Sequence, residues 1–219
     1  MVNAVEYIIE NALEKAENYK YTFSIPSRQQ ILNLEKGDVV KLMFTENQDT
    51  ERMWLSIEEI RKGENDQSPI NFTGKLDNQP YNIKSISLGS RIDFKDYHII
   101  AIYDKPNEFV HPSLAHLPAR IMAMTGKLCY VSKEYFNNED KTLGYIYREN
   151  PVSSSDSGWR FTSGDEPDGY MQIKRNTQPV RITAILNRDD SFVGLLNSPI
   201  NSHFVFDSEE KQWLELEDA

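Results

Sequence analysis

The feature that most constrains the fold of this sequence is the shortness of its apolar runs. Stretches such as Val39-Val40 and Ile99 to Tyr103 are only a few residues long, and Gly, Pro, Asn and Asp separate them. A helix that crosses a bilayer needs about 20 apolar residues, so the sequence predicts no membrane span. Several short strands joined by tight reversals are typical of a small twisted sheet or a partial barrel.

The beginning of the chain is predicted to be helical. Apolar residues recur at helical spacing over residues 2–16, and Asn3 with Glu6 three positions later forms a capping box. Ser27 and Gln30 have the same relationship and predict a second, short helix.

Strand-like segments then fill the first half of the chain. They are VVKLMF after Gly37-Asp38, followed by 53–60, 70–76, 91–94 and 98–103. Each is bounded by turn-forming residues, so a small sheet is expected here. With the N-terminal helix packed on it, the first module is predicted to be α+β.

The turn at residues 104–107 and the helix-leaning segment that follows, interrupted by Pro118, suggest a division of the chain. We expect a first module over 1–106, a connecting helical segment over 107–125 and a second module over 126–219. In the second module KLCYVS, LGYIYRE and WRFTSG read as strands, VRITAIL is ambiguous between helix and strand, and HFVFD can pair with QWLEL. The predicted fold class is α+β, with two small modules, each a twisted, mainly antiparallel sheet with one or two packed helices.

Charge and cysteine content indicate the cellular compartment and the kind of partner. The formal net charge is −10, and residues 207–219 hold six acids against one lysine. Such a field repels phosphate backbones and favours a basic protein, although acidic tails often serve solubility alone. The single Cys129 and the absence of a basic, apolar leader pattern predict a cytoplasmic protein.

Motifs for cofactor or nucleophile chemistry are missing from the sequence. There is no phosphate-binding loop, no dinucleotide fingerprint and no G-x-S-x-G elbow. His111 and His116 are five residues apart, which does not bring two metal ligands together on one helical face. Cys129 reads as a small buried hydrophobe. The sequence therefore predicts no cofactor, no metal and no enzymatic activity.

Three carboxylates, Asp165, Glu166 and Asp168, stand close together. They could bind a hard cation or present acids to a substrate. The simpler interpretation is the start of a helix in DEPDGYM, because helix N-termini favour acids.

The most chemically dense segment runs from 156 to 166 and places Trp159 and Arg160 between two glycines. Tryptophan and arginine are enriched in binding hot spots. A structural interpretation competes with this one: Trp159 and Phe161 share strand parity and could both face the core, while Arg160 pairs with an acid on the other face.

The second module resembles the immunity-protein family numbered thirty-three of polymorphic-toxin systems, formerly a bacterial domain of unknown function. The likeness spans about residues 126–219 and lies in a strand ending near Ser132 and in three blocks: GYIYRENP at 144–151, DSGWRFTSGDEPDGYM at 156–171 and LLNSPINSHFVFD at 195–207. Between Tyr170 and Leu195 the chain departs from the family pattern. The resemblance implies toxin neutralisation and supplies no catalytic residues.

The first module more loosely resembles another small bacterial domain of unknown function, through ERMWLSIEEI, GKLDNQP and LGSRIDF. This likeness implies no established activity.

Together these observations predict a cytoplasmic binding protein of the immunity type, with a cognate toxin as its partner and its oligomeric state open. The candidate partner-binding residues are Trp159, Arg160, Asp165, Glu166 and Tyr170. Two alternatives remain: a small-ligand sensor or enzyme that uses the region of Asp165 and Glu166 with a histidine, and a structural or housekeeping protein.

Overall fold

The computed structural model describes residues 7–216. The chain divides into two compact units, and the division between Ala115 and His116 lies inside the predicted connecting segment. Both units are built on a six-stranded sheet with few helices, which confirms the α+β class. No helix within the described range is long and apolar enough to cross a membrane.

The first unit is a curled half-barrel of antiparallel strands. Its elements are β1 (Ile8–Ile9), α1 (Ala12–Asn18), α2 (Arg28–Leu32), β2 (Val39–Glu46), β3 (Asp49–Arg61), β4 (Asn71–Leu76), β5 (Arg91–Lys95), β6 (Ala101–Ile102) and α3 (Pro112–Ala115). The strand order is β1-β2-β3-β4-β5, and β6 pairs with β2 beside β1.

Both faces of β2 are covered, which explains its nearly unbroken apolar sequence. Leu42 and Phe44 enter the main core of the sheet, whereas Met43 points to the other side and packs with Ala12 and Ala16 of α1. Burial of this kind contributes about 25 cal/mol per Å² of apolar surface and dominates the stability of such a unit.

The N-terminal helix prediction was wrong over Ile8 and Ile9. These β-branched residues pair with Thr45 and Phe44 of β2, and the helix begins only at Ala12, where the side chain of Asn11 accepts hydrogen bonds from two backbone amides. The predicted cap at residues 3 and 6 lies outside the described residues. A ladder partner distant in sequence overrides the local helical spacing here.

Two other predictions in this unit had different outcomes. The capping box of Ser27 and Gln30 is confirmed at the start of α2. The strand predicted over 98–103 is confirmed only for β6, because residues 96–98 form a 3-10 turn in which the Asp96 carboxylate accepts the amide hydrogens of Ile70 and Tyr97.

The second unit contains the other sheet. Its elements are α4 (Ala119–Thr125), β7 (Leu128–Ser132), α5 (Lys133–Phe136), β8 (Tyr145–Arg148), β9 (Asp156–Thr162), β10 (Thr177–Arg181), α6 (Ile182–Leu186), β11 (His203–Asp207) and β12 (Gln212–Glu215). The order is β10-β7-β9-β8-β11-β12, and every pair is antiparallel except β7 with β9. The pairing of HFVFD with QWLEL is thereby confirmed, and VRITAIL divides into the end of β10 and the whole of α6.

One face of this sheet forms the core of the unit. Trp159 and Phe161 are fully buried there, and their rings pack on Phe204 and Phe192. The indole nitrogen of Trp159 donates a hydrogen bond to the carbonyl oxygen of Leu196 at 3.3 Å, so this buried polar group is satisfied. The opposite face of the sheet carries the candidate site.

Candidate functional site

A row of side chains crosses the sheet on the face opposite the core, which we call the second face. The register places Tyr130, Arg160, Tyr147 and His203 side by side on β7, β9, β8 and β11. Side chains alternate along a strand, so these four share one face while Trp159 and Phe161 occupy the other. The row therefore brings together aromatic and charged groups from strands that are far apart in sequence.

Arg160 lies at the centre of this row in a buried ion network. Its guanidinium group makes a bidentate contact with Asp156, at 3.0 and 3.1 Å, and its Nε donates to Glu149 at 2.6 Å. Burial alone would raise the pKa of Asp156, but hydrogen bonds from Arg160 and from the amides of Val152 and Gly158 outweigh it and lower that pKa. Arg160 is thus saturated by acids, and the guanidinium also lies over the ring of Tyr130 at 4.8 Å.

Gly158 makes this arrangement possible. Its φ angle of +82° favours glycine, and a Cβ added there would lie 2.3 Å from the carbonyl oxygen of Glu149. The glycine therefore lets β9 approach the end of β8 closely enough for Arg160 to reach Glu149.

Beside Arg160 a cleft of about 280 Å³ opens on the second face. Its floor is a group of three stacked rings: the centroids of Tyr145 and Tyr147 are 5.5 Å apart, and those of Tyr147 and His203 are 5.6 Å apart. The hydroxyl of Tyr145 and Nδ1 of His203 are 2.5 Å apart and share a hydrogen bond. A 3-10 turn over 170–172 forms one wall of the cleft. Gly169, the residue before this turn, has a φ angle of +76°.

The segment that leads to this wall contains the predicted carboxylates. Glu166 accepts the amide hydrogens of Ser163 and Gly164 at 3.0 and 2.9 Å, and it lines the cleft together with Asp168. Asp165 is exposed and forms an ion pair with Lys141. The helix predicted to start in DEPDGYM is present only as the short 3-10 turn over 170–172. The side chain of Glu166 instead closes a turn by accepting the amide hydrogens of Ser163 and Gly164.

The pKa values of both carboxyls are lowered. For Glu166, burial would raise the pKa, but hydrogen bonds from Ser132 and from the Ser163 amide outweigh it. For Asp165, the hydrogen bond from Lys141 is the largest cause. Both groups are therefore carboxylates at neutral pH, which suits attraction of a cation and does not suit donation of a proton.

The five residues predicted to bind a partner occupy different environments. Trp159 and Arg160 are buried, the first in the core and the second in its ion network. Asp165 is exposed, and Glu166 and Tyr170 are half-buried around the cleft. The structural interpretation of Trp159 and Arg160 thus accounts for their positions, and a role of the five residues in binding stays a prediction.

Sequence reasoning missed the aromatic floor of the cleft. The alternation in LGYIYRE places Tyr145 and Tyr147 on one face of β8, and this was the available signal. Their neighbour His203 follows from strand pairing across about 58 residues of chain, which no local pattern reveals.

No cluster of three or more His, Cys, Asp or Glu side chains suited to a metal ion occurs within residues 7–216. Cys129 is fully buried in β7, and burial raises the pKa of its thiol. The thiol is consequently protonated at neutral pH and a poor nucleophile.

Comparison with known proteins finds a family likeness within the second unit. Residues 129–217 match the family model described as the Immunity protein Imm33 domain, which confirms the resemblance drawn from the sequence for the C-terminal half. The comparisons with curated proteins and with solved structures returned no match.

Proposed function

We propose that this chain is an immunity protein that binds a cognate bacterial toxin directly, in the cytoplasm of the cell that makes both, and blocks the toxin without catalysing a reaction. The observation that carries the proposal is the Imm33 match, which runs from the second residue of β7 through β12 and includes the row of Tyr130, Arg160, Tyr147 and His203. Immunity families of this type are generally non-enzymatic, and tight binding is the activity they require.

The binding surface that we propose is the rim of the cleft, including Asp165, Glu166 and Tyr170. These side chains project from irregular segments held against a rigid sheet, an arrangement typical of recognition sites. In this proposal Trp159 and Arg160 act indirectly, because they fix β9 and hence the loop that carries the two acids. Their burial supports a positioning role rather than direct contact.

The charge of the second unit supports a basic partner. The hairpin of β11 and β12 exposes Glu209 and Glu210 in its turn and Glu215 on β12, and Asp207 closes the turn by accepting two backbone amides. Acidic groups on the same sheet as the cleft would accelerate encounter with a basic toxin and orient it. We therefore propose that the toxin presents a basic surface.

Growth rescue is the direct test of this function. The toxin encoded by the neighbouring reading frame is expressed in a susceptible bacterium with and without the chain. The wild-type chain is expected to restore growth and to co-purify with the toxin. Tyr170→Ala is expected to weaken protection, whereas Asp140→Asn, an exposed acid that is not part of the cleft lining, serves as the matched control and is expected to protect fully.

Absence of both rescue and complex for every neighbouring toxin would contradict the proposal. Equal protection by the wild type and by the Tyr170 variant would contradict the choice of surface and leave the immunity role standing.

A second candidate function is favoured by one observation: Glu166 and His203 line the same cleft, so an acid and an imidazole converge there. A small-ligand sensor or an enzyme would use such a pair. The lowered pKa of Glu166 argues against a role as general acid. Turnover of a defined compound that disappears in His203→Gln would establish this alternative.

A further inference from the structure

We propose that the cleft on the second face is a receptor for a single cationic side chain, an arginine or lysine of the protein partner. This inference rests on the proposed function, because it names the chemistry by which the second unit would hold a toxin. It is carried by three independent properties of the cleft: its aromatic floor, the sign of its charges and its size.

The aromatic floor supplies ring surface and phenol hydroxyls to the lining of the cleft. The rings of Tyr147 and His203 are stacked at an interplanar angle of 5°, and the ring of Tyr145 is inclined to them by 27° and 29°. Burial raises the pKa of Tyr147 to about 12, so its phenol is neutral at physiological pH. Faces and hydroxyls of neutral phenols attract guanidinium and ammonium groups.

The charged side chains that line the cleft have one sign. Among the described residues that line the cleft, Glu166 and Asp168 are acidic and none is a lysine or an arginine. Hydrogen bonds from Ser132 and from the Ser163 amide lower the pKa of Glu166, so it carries a negative charge in the lining of the cleft. An anionic or neutral group would gain nothing from this field, whereas a cation gains from both the acids and the rings.

The size of the cleft suits a single side chain. A volume of about 280 Å³ lies just below the range of roughly 300–1,000 Å³ that accommodates drug-sized ligands. The neighbouring cleft, which shares Tyr147, Met171 and Gln172 with the first, is lined by Arg160 and by Lys174. Because that arginine is already saturated by Asp156 and Glu149, it does not offer a free cation for an anionic ligand.

The test uses the full chain and two small probes. N-acetyl-arginine amide carries the charged guanidinium, and N-acetyl-citrulline amide is its neutral isostere. In NMR titrations, the arginine probe is expected to produce saturable shifts of the Tyr145, Tyr147 and His203 ring signals at roughly millimolar concentration. The citrulline probe is expected to bind more weakly, by about fivefold or more, because it lacks the positive charge that the rings and carboxylates attract.

Three variants locate the effect. Tyr147→Leu removes one ring of the floor and is expected to weaken the arginine probe by about fivefold. Asp168→Asn removes a charge at the rim and is expected to weaken it about two- to fivefold. Asp140→Asn changes the net charge equally outside the cleft lining and is expected to leave affinity unchanged. Unaltered amide spectra away from the cleft show that each variant is folded.

Equal binding of the arginine and citrulline probes, or shifts confined to other residues, would overturn the inference. Equal losses in Asp168→Asn and Asp140→Asn would do the same, because attraction would then follow net charge alone. Growth rescue remains a separate result: probe binding without rescue contradicts the immunity role, and rescue without probe binding contradicts only the cation receptor.

Discussion

Replacing Asp156 by asparagine tests how the fold holds the candidate site. Asp156 is 2% exposed and Arg160 is 4% exposed, and the two form a bidentate pair of 3.0 and 3.1 Å. An asparagine side chain has nearly the same shape and can still accept a backbone amide. It lacks the charge that balances the buried guanidinium, so the substitution isolates the electrostatic part of the network.

The magnitude follows from the cost of breaking a buried ion pair by removing one partner, which is about 3–5 kcal/mol. Glu149 remains as a second acid for Arg160, although its side chain is 50% exposed and compensates poorly. The single carbonyl oxygen of asparagine can keep one of the two amide contacts, from Val152 or from Gly158, and this reduces the loss. We therefore expect Asp156→Asn to lower the free energy of unfolding of the second unit by about 3 kcal/mol.

Hydrogen exchange of the amides in β8 and β9 measures this loss within the second unit itself. A loss of about 3 kcal/mol corresponds to exchange about a hundredfold faster at neutral pH. Asp165→Asn, which removes an acid from an exposed pair with Lys141, is the matched control and is expected to change exchange little. Equal exchange in the two variants would refute the reasoning.

The ion pair of Asp156 and Arg160 should also make the stability of the second unit depend on pH. The pKa of Asp156 is lower in the folded state than in the unfolded chain, so its stabilisation is fully present above the unfolded value and is lost as the pH falls through the folded one. The difference between the wild type and Asp156→Asn should accordingly be largest at neutral pH and shrink below about pH 4.

Three further results are expected. Gly158→Ala should destabilise the second unit by more than about 2 kcal/mol in thermal unfolding, because its Cβ would clash with Glu149; a variant as stable as the wild type would contradict the φ angle of +82°. Cys129 should react with a thiol reagent only as fast as the unit opens, and rapid labelling of the native protein would disprove its burial. Burial lowers the pKa of His98 to about 4, and its Nδ1 accepts the amide hydrogen of Lys95. The free energy of unfolding should therefore fall by about 1–2 kcal/mol as the pH falls from about 6.5 to about 4. An equally steep fall in His98→Gln would show that another group is responsible.

Local sequence patterns predicted most strands of this protein because alternation and turn residues are short-range signals. The parity of Trp159 and Phe161 placed both in the core, and it placed Arg160 on the other face beside an acid. The failure at Ile8 and Ile9 has a different cause, since their strand exists only through β2, more than 30 residues away.

The candidate site was only partly visible in the sequence for the same reason. Glu166 and Tyr170 lie close together in the sequence, at the end of the dense segment and just after it, whereas Tyr147 and His203 meet through the pairing of β8 with β11. Composition favoured a basic partner, but only the sheet register shows that acids and aromatic rings line one cleft. A site assembled from distant strands cannot be predicted from spacing along one of them.

Hydrogen exchange on the complex with the neighbouring toxin tests the central claim most directly. The account predicts a stoichiometric complex in which protection increases in β8, in β11 and in residues 163–172, which together form the cleft and its rim. Protection confined to the first unit, or to the core side of the second, would contradict it.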